Sequence, residues 1–128
     1  MIAPDWMNET VRGFGRQMGL NSFALNDRGA AGVRFENGVS LRLEYVPGAL
    51  VMSAGVAMEP RAESLRRLLT GAHSAAVPGV GVRAAWMARS GEGVYIVRID
   101  ERRVDVSAME AAFRIVWQLA SGLGRSLA

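Results

Sequence analysis

Residues 82–127 limit the fold more than any other stretch, because they end in a run that is apolar along one whole side of a helix. Met109, Ala112, Phe113, Val116, Trp117 and Ala120 recur at i, i+3, i+4, i+7, i+8 and i+11, so all six share one face. Such a face must be buried against another layer. Ser107-Ala108-Met109-Glu110 has the form of a capping box, in which a serine hydroxyl and a glutamate carboxylate satisfy orphan N–H groups. The helix is therefore expected to begin at about Ala108. Ahead of it, residues 82–89 and 94–100 read as strands, and Ser90-Gly91-Glu92-Gly93 supplies the glycines a hairpin loop needs.

The rest of the chain supplies partners for that helix. Asp5 is placed to cap a first helix in which Met7, Val11, Phe14 and Met18 share a face, and Gly19 is a natural stop. Gly13 and Gly15 inside this helix each cost about 1 kcal/mol relative to alanine, which points to close approach of a backbone or a bulky ring. From Phe23 the period changes to two. Phe23-Ala24-Leu25 reads as a short strand and Asn26-Asp27-Arg28-Gly29 as a turn. Val33 and Phe35 alternate with charged residues, Asn37-Gly38 signals a two-residue hairpin loop, and Val39, Leu41, Leu43 and Tyr45 alternate with Ser40, Arg42 and Glu44. After Pro47-Gly48, residues 49–58 are apolar or small on both faces, as in a central strand or one whose second face meets a partner. Pro60 suits the first turn of a helix from Arg61 to about Ala72 whose narrow stripe is Leu65, Leu68 and Leu69. Residues 71–81 read as a mobile, small-residue connector.

The expected order is helix, three strands, helix, two strands, helix, which makes one α+β domain over residues 1–128 on a single antiparallel, twisted, five-stranded sheet. The longest uncharged run, residues 68–82, is broken by Gly71, Pro78, Gly79 and Gly81 and falls short of the ~18 apolar residues of a spanning helix. No membrane span is expected. Nor is a secretory signal, since Met1-Ile2-Ala3-Pro4-Asp5 lacks a basic region followed by an apolar core.

Charge enters because the sequence pI of about 10.5 is that of many nucleic-acid binders. Here it arises from arginine supplying all 15 basic groups beside a single histidine, so almost nothing titrates between neutrality and pH 10. The net charge is only +3, and the two basic doublets, Arg66-Arg67 and Arg102-Arg103, are not interleaved with aromatic residues. Nucleic-acid binding is disfavoured.

Convergent catalytic groups are scarce. With no cysteine, disulfides and thiolate metal sites are excluded, and His73 has no carboxylate cluster spaced to join it around a metal. Gly13-Phe14-Gly15-Arg16-Gln17-Met18-Gly19 is one residue too long for a dinucleotide loop and follows no strand, so it reads as helix packing. Gly79-Val80-Gly81 lacks the lysine and hydroxyl of a phosphate loop and reads as a joint. Asp100-Glu101 beside Arg102-Arg103 reads as a turn with mutually screened charges. Neither catalysis nor a cofactor or metal is expected. The surplus lies elsewhere, in seven methionines, three tryptophans and more apolar faces than one five-stranded layer covers, which argues for a dimer or a bound peptide.

The element order, and the run Val94-Tyr95-Ile96-Val97-Arg98-Ile99-Asp100 followed by Val104-Asp105-Val106-Ser107-Ala108-Met109-Glu110-Ala111-Ala112-Phe113, resemble the class I type III secretion chaperones. The N-terminal part is similar too, with a helix ending in Gly-Leu and the turn Asp27-Arg28-Gly29 ahead of two alternating strands. The resemblance implies a small bacterial cytoplasmic protein that dimerises, with itself or with a related chaperone, through its middle helix and the neighbouring strand. It would hold the N-terminal segment of a secreted effector or gatekeeper protein in extended form, through an added strand and apolar grooves. Leu65, Leu68, Leu69 and Trp86 are the dimer candidates on that basis. Phe14, Met18, Phe35, Leu43, Met52 and Val56 are groove candidates, with ordinary core packing as the alternative. A structural or adaptor subunit built on the same layers is the competing class.

Overall fold

The computed structural model describes residues 2–74 and 81–128. Its elements follow the expected order: α1 (Asp5–Gln17), β1 (Ala30–Arg34), β2 (Ser40–Val46), β3 (Ala49–Ala57), α2 (Ala62–Ser74), β4 (Val82–Met87), β5 (Glu92–Asp100), a 3₁₀ turn (Glu101–Arg103) and α3 (Val106–Leu127). The five strands form one antiparallel sheet in the order β1-β2-β3-β5-β4, so the strand with two apolar faces, β3, is the central one.

Side chains alternate along each strand, and the apolar set of every strand points to the same side. Leu41, Leu43, Leu50, Met52, Tyr95 and Val97 are buried on that side, where α3 lies over β3 and β5, α2 lies over β4 and β5, and α1 packs on α3. Met7, Val11 and Phe14 of α1, Leu68 of α2, and Met109, Val116 and Ala120 of α3 complete one core. The opposite face carries Arg42, Glu44, Val51, Ser53, Ile96 and Arg98, all exposed or half-buried.

Several local details differ from the sequence reading. Asp105, not Ser107, caps α3: its backbone is extended and its carboxylate accepts the Ala108 N–H at 2.7 Å, so the helix begins two residues early. Pro4 occupies the N-cap position of α1 and makes no side-chain cap bond, which leaves Asp5 in the first turn, where its charge still favours the positive helix end. Leu65 N–H donates to Arg61 O, so Pro60 precedes α2 instead of opening it. Phe23 and Leu25 form no strand; their side chains are buried, and the Leu25 N–H donates to Asn8 Oδ1 at 3.0 Å. The β1–β2 connection is a three-residue loop, because Asn37 keeps a negative φ and only Gly38, at φ +89°, adopts the left-handed conformation. Residues 71–74 of the expected connector are helical, and its residues 75–80 lie outside the described residues.

The β4–β5 hairpin holds the correction with the largest consequence. Its loop is residues 88–91, with Gly91 at φ +66°, so Glu92 and Gly93 belong to β5 rather than to a turn. Gly93 serves packing, since a Cβ there would lie 2.5 Å from Met58 Sδ and 3.3 Å from Leu68 Cδ1. Gly15 and Gly19 behave as the sequence implied, whereas Gly13 faces a methyl group of Val106, at 3.3 Å from where its Cβ would lie, and neither a backbone nor a ring. A Cβ at Gly15 would lie 2.8 Å from that of Phe23, and Gly19 closes the helix at φ +74° while Leu20 N–H returns to Gly15 O.

Candidate functional site

Packing all three helices on one face of the sheet uses up most of the apolar residues proposed for binding. Phe14, Leu43 and Met52 are no more than 1% exposed and Val56 is 5% exposed, so four of the six groove candidates are core. Met18 and Phe35 remain half-buried at its margin. The dimer candidates divide in the same way. Leu68 is 1% exposed and lies under α2 against β5, whereas Leu69, one residue on, is 60% exposed. Leu65 and Trp86 are half-buried, and the Trp86 indole N–H donates to Met58 O at 3.2 Å.

What the packing leaves open is an aromatic cluster where the β1–β2 loop meets α3. The Phe35 ring meets Trp117 edge-on at 4.8 Å, Phe113 stacks on Trp117 at 5.5 Å, and Phe14 anchors Phe113 from the core at 5.9 Å. Phe113 and Trp117 are half-buried. They border a depression of about 290 Å³ that Met18 closes on one side and Glu110, Arg114 and Gln118 rim with polar groups. Apolar walls with a polar rim hold an apolar side chain and leave the adjoining backbone in water. Sequence reasoning placed Phe113 and Trp117 on the buried face and missed that they stay half-exposed. The available signal was the stripe on α3, which carries two large aromatic rings in addition to the Met, Val and Ala residues that suffice to meet the sheet.

Beside this cluster runs β1, an edge strand of five residues; Asn26 takes the outer N–H and C=O of Ala30, and among the described residues no strand pairs with the outer backbone groups of Gly32 and Arg34. The other edge is β4, which contacts α2 on one side and ends at Met87, 46% exposed.

The second face of the sheet carries a buried charge. Glu92, which the sequence reading assigned to a loop, is 2% exposed at its side chain, with Arg42 at 2.8 Å and Arg34 at 3.9 Å. Its carboxylate oxygens form ion pairs there without hydrogen-bond geometry. Burial raises the Glu92 pKa, but Arg42 and the Ser90 and Ser40 hydroxyls outweigh it and hold the group below the usual carboxylate range. The alternation of Tyr95, Val97 and Ile99 with Val94, Ile96 and Arg98, carried back two residues, was the sequence signal that Glu92 lies in the strand. Elsewhere, Asp100 pairs with Arg102 across the 3₁₀ turn, as a charge-screened turn should. Among the described residues no group of three His, Asp or Glu side chains is placed to hold a metal ion, and no helix is long and apolar enough to cross a membrane.

The sequence model of the Tir chaperone protein (CesT) family matches residues 9–123, nearly the whole chain. The chain belongs to the Tir chaperone protein family. It is a type III secretion chaperone, and the three helices, five strands and half-open aromatic cluster are this member's version of the family fold. No curated protein matches the sequence. Solved structures match it at low identity. A chain of the ExsC–ExsE complex aligns with a TM-score of 0.79 and 18% identity, over 99% of this chaperone and 97% of that chain. A chain of the HopA1–SchA chaperone–effector complex gives 0.70 and 17%, over 96% and 99%. The Yersinia pestis type III secretion chaperone SycH, in complex with a stable fragment of YscM2, gives 0.64 and 11%, over 95% and 99%. At these identities the likeness is one of fold.

Proposed function

We propose that this chaperone captures the N-terminal segment of a secreted effector or gatekeeper protein along the free edge of β1. One segment side chain enters the aromatic depression between Met18, Phe113 and Trp117. The observation that carries this reading is the position of Phe35. It directly follows β1 and touches both Trp117 and Phe113, so backbone pairing and apolar docking are available within one turn of chain. Solved complexes of similar fold support it, since each holds a second protein. The chaperone acts in the bacterial cytoplasm, without catalysis or cofactor. It pairs with a second copy or a related chaperone through α2 and β4, where Leu69 and Met87 are the exposed apolar residues.

Co-expression with the N-terminal segment of a secreted protein encoded beside it tests the assignment. Wild type keeps the segment soluble and co-purifies with it. Trp117→Ala folds, since the ring is only half-buried, but loses about tenfold in affinity if the ring supplies a docking pocket. Undiminished capture by a folded Trp117→Ala variant removes the aromatic cluster from the binding site.

A further inference from the structure

The open face of the sheet is more basic than the chain as a whole. By register, Arg34, Arg42, Arg83 and Arg98 point to it, against Glu44 and Glu92, while Asp100 at its end is matched by Arg102. Glu92 is the unusual member, an ionised side chain nearly absent from the surface, on a face where Ser40 and Val94 are buried beside it and the arginines are exposed. Burying a carboxylate is costly unless cations hold it, so its physical effect is to fix the two guanidiniums that reach it. Arg42 is 47% exposed and Arg34 69% exposed at their side chains, with the Arg34 Nε–H also donating to Ser40 Oγ at 3.4 Å. A guanidinium has five N–H donors in a fixed fork, and one carboxylate does not satisfy two of them.

The position of this pair relates it to the edge of the sheet. Gly32 is the cross-strand partner of Arg42, and Arg34 is that of Ser40. Because Gly32 has no side chain, a depression of about 290 Å³ opens from the β1 edge over Gly32 to Arg34, Ser40 and Arg42. A strand added along β1 directs alternate side chains to this face, and the one opposite Gly32 meets both arginines with nothing between.

Resting on the reading that a secreted segment pairs with β1, we infer that this chaperone selects segments carrying an aspartate or glutamate at the position that faces Gly32, read by the Arg34–Arg42 pair which Glu92 holds in place. The bound carboxylate and Glu92 then share the two arginines from opposite sides, and residues on either side of the acid in the segment turn to the aromatic cluster. The outcome is a segment motif of alternating apolar residues interrupted by one acid.

Selection from a displayed library of short random peptides, with the intact chaperone as bait, tests this directly. Wild type should enrich peptides with one acidic position flanked by apolar residues at alternate places. Arg34→Gln should weaken a synthetic peptide of that motif about tenfold, a loss also seen on raising the salt. Changing Arg42 alone would strand a buried carboxylate, so the matched variant is R42Q/E92Q, which removes both charges together and should lose the acid preference while keeping its melting temperature near that of wild type. E92Q alone should bind the acidic peptide more tightly than wild type, because it frees both guanidiniums; a merely structural ion pair would not do this. Enriched apolar peptides with no preferred acid, bound equally by all four proteins, overturn the inference and leave segment capture standing. Enrichment of no peptide at all overturns segment capture and this inference with it.

Discussion

Leu68 and Leu69 are adjacent, chemically identical and opposite in environment, so truncating each separates core from interface. Leu68→Ala removes buried methyl and methylene groups from a site only 1% exposed, between α2 and β5. Such changes cost about 3 kcal/mol, combining lost transfer energy and the cavity left behind. For a domain of this size that lowers the melting temperature by roughly 12 °C. Leu69→Ser alters a side chain already 60% exposed, so its effect on subunit stability stays within about 0.5 kcal/mol. On pairing through α2 and β4 its effect appears elsewhere. Covering the exposed part of one leucine contributes about 1.2 kcal/mol, and a twofold interface uses it in both copies, for about 2.5 kcal/mol or roughly a 70-fold weaker dimer. Thermal melts report the first quantity and sedimentation equilibrium over a concentration series the second. A Leu69→Ser variant that melts as low as Leu68→Ala, or whose self-association matches wild type, would refute the division between these two positions and the proposed pairing surface.

The cap assignment and the buried carboxylate give two further tests. Asp105→Ala should cost about 1 kcal/mol by stranding the Ala108 N–H, whereas Ser107→Ala should be close to neutral; equal losses in urea unfolding would restore the capping box. Glu92 has a pKa held below its ordinary value of 4.5, so its contribution is present above that value and is lost as the pH falls through the lower, folded-state pKa. E92Q should therefore melt below wild type at neutral pH, and the gap should close in acid; parallel melting profiles from neutrality to strong acid would show that the ion pair contributes nothing.

Much of the architecture was legible because its causes are local. Period-two alternation in β2, the stripe of α3, the stop at Gly19 and the turn at Pro47-Gly48 depend on residues within a few positions of one another, and each appears where the sequence placed it. Errors at element ends were local as well: Asp105 and Ser107 are both competent caps, and only the backbone conformation chose between them. Glycine chemistry misled at Gly93, because a glycine needed for close packing against Met58 and Leu68 looks the same in sequence as one needed for a turn.

The binding surface was a different kind of question. Periodicity states which side of an element is apolar, and for Phe14, Leu43, Met52, Val56 and Leu68 that was correct. It does not state whether a neighbouring element covers that side. Only the stacking of three helices on one face of the sheet put those five residues out of reach, left Phe35, Phe113 and Trp117 half-open at the margin, and brought Glu92 from the third position of an expected hairpin loop to the side of Arg42, fifty residues away in sequence and two strands across. The chain's amino acids determined its elements and their order through contacts between near neighbours; which apolar and charged groups remain for a partner was decided by long-range packing, since exposure is a property of the assembled layers and not of any segment.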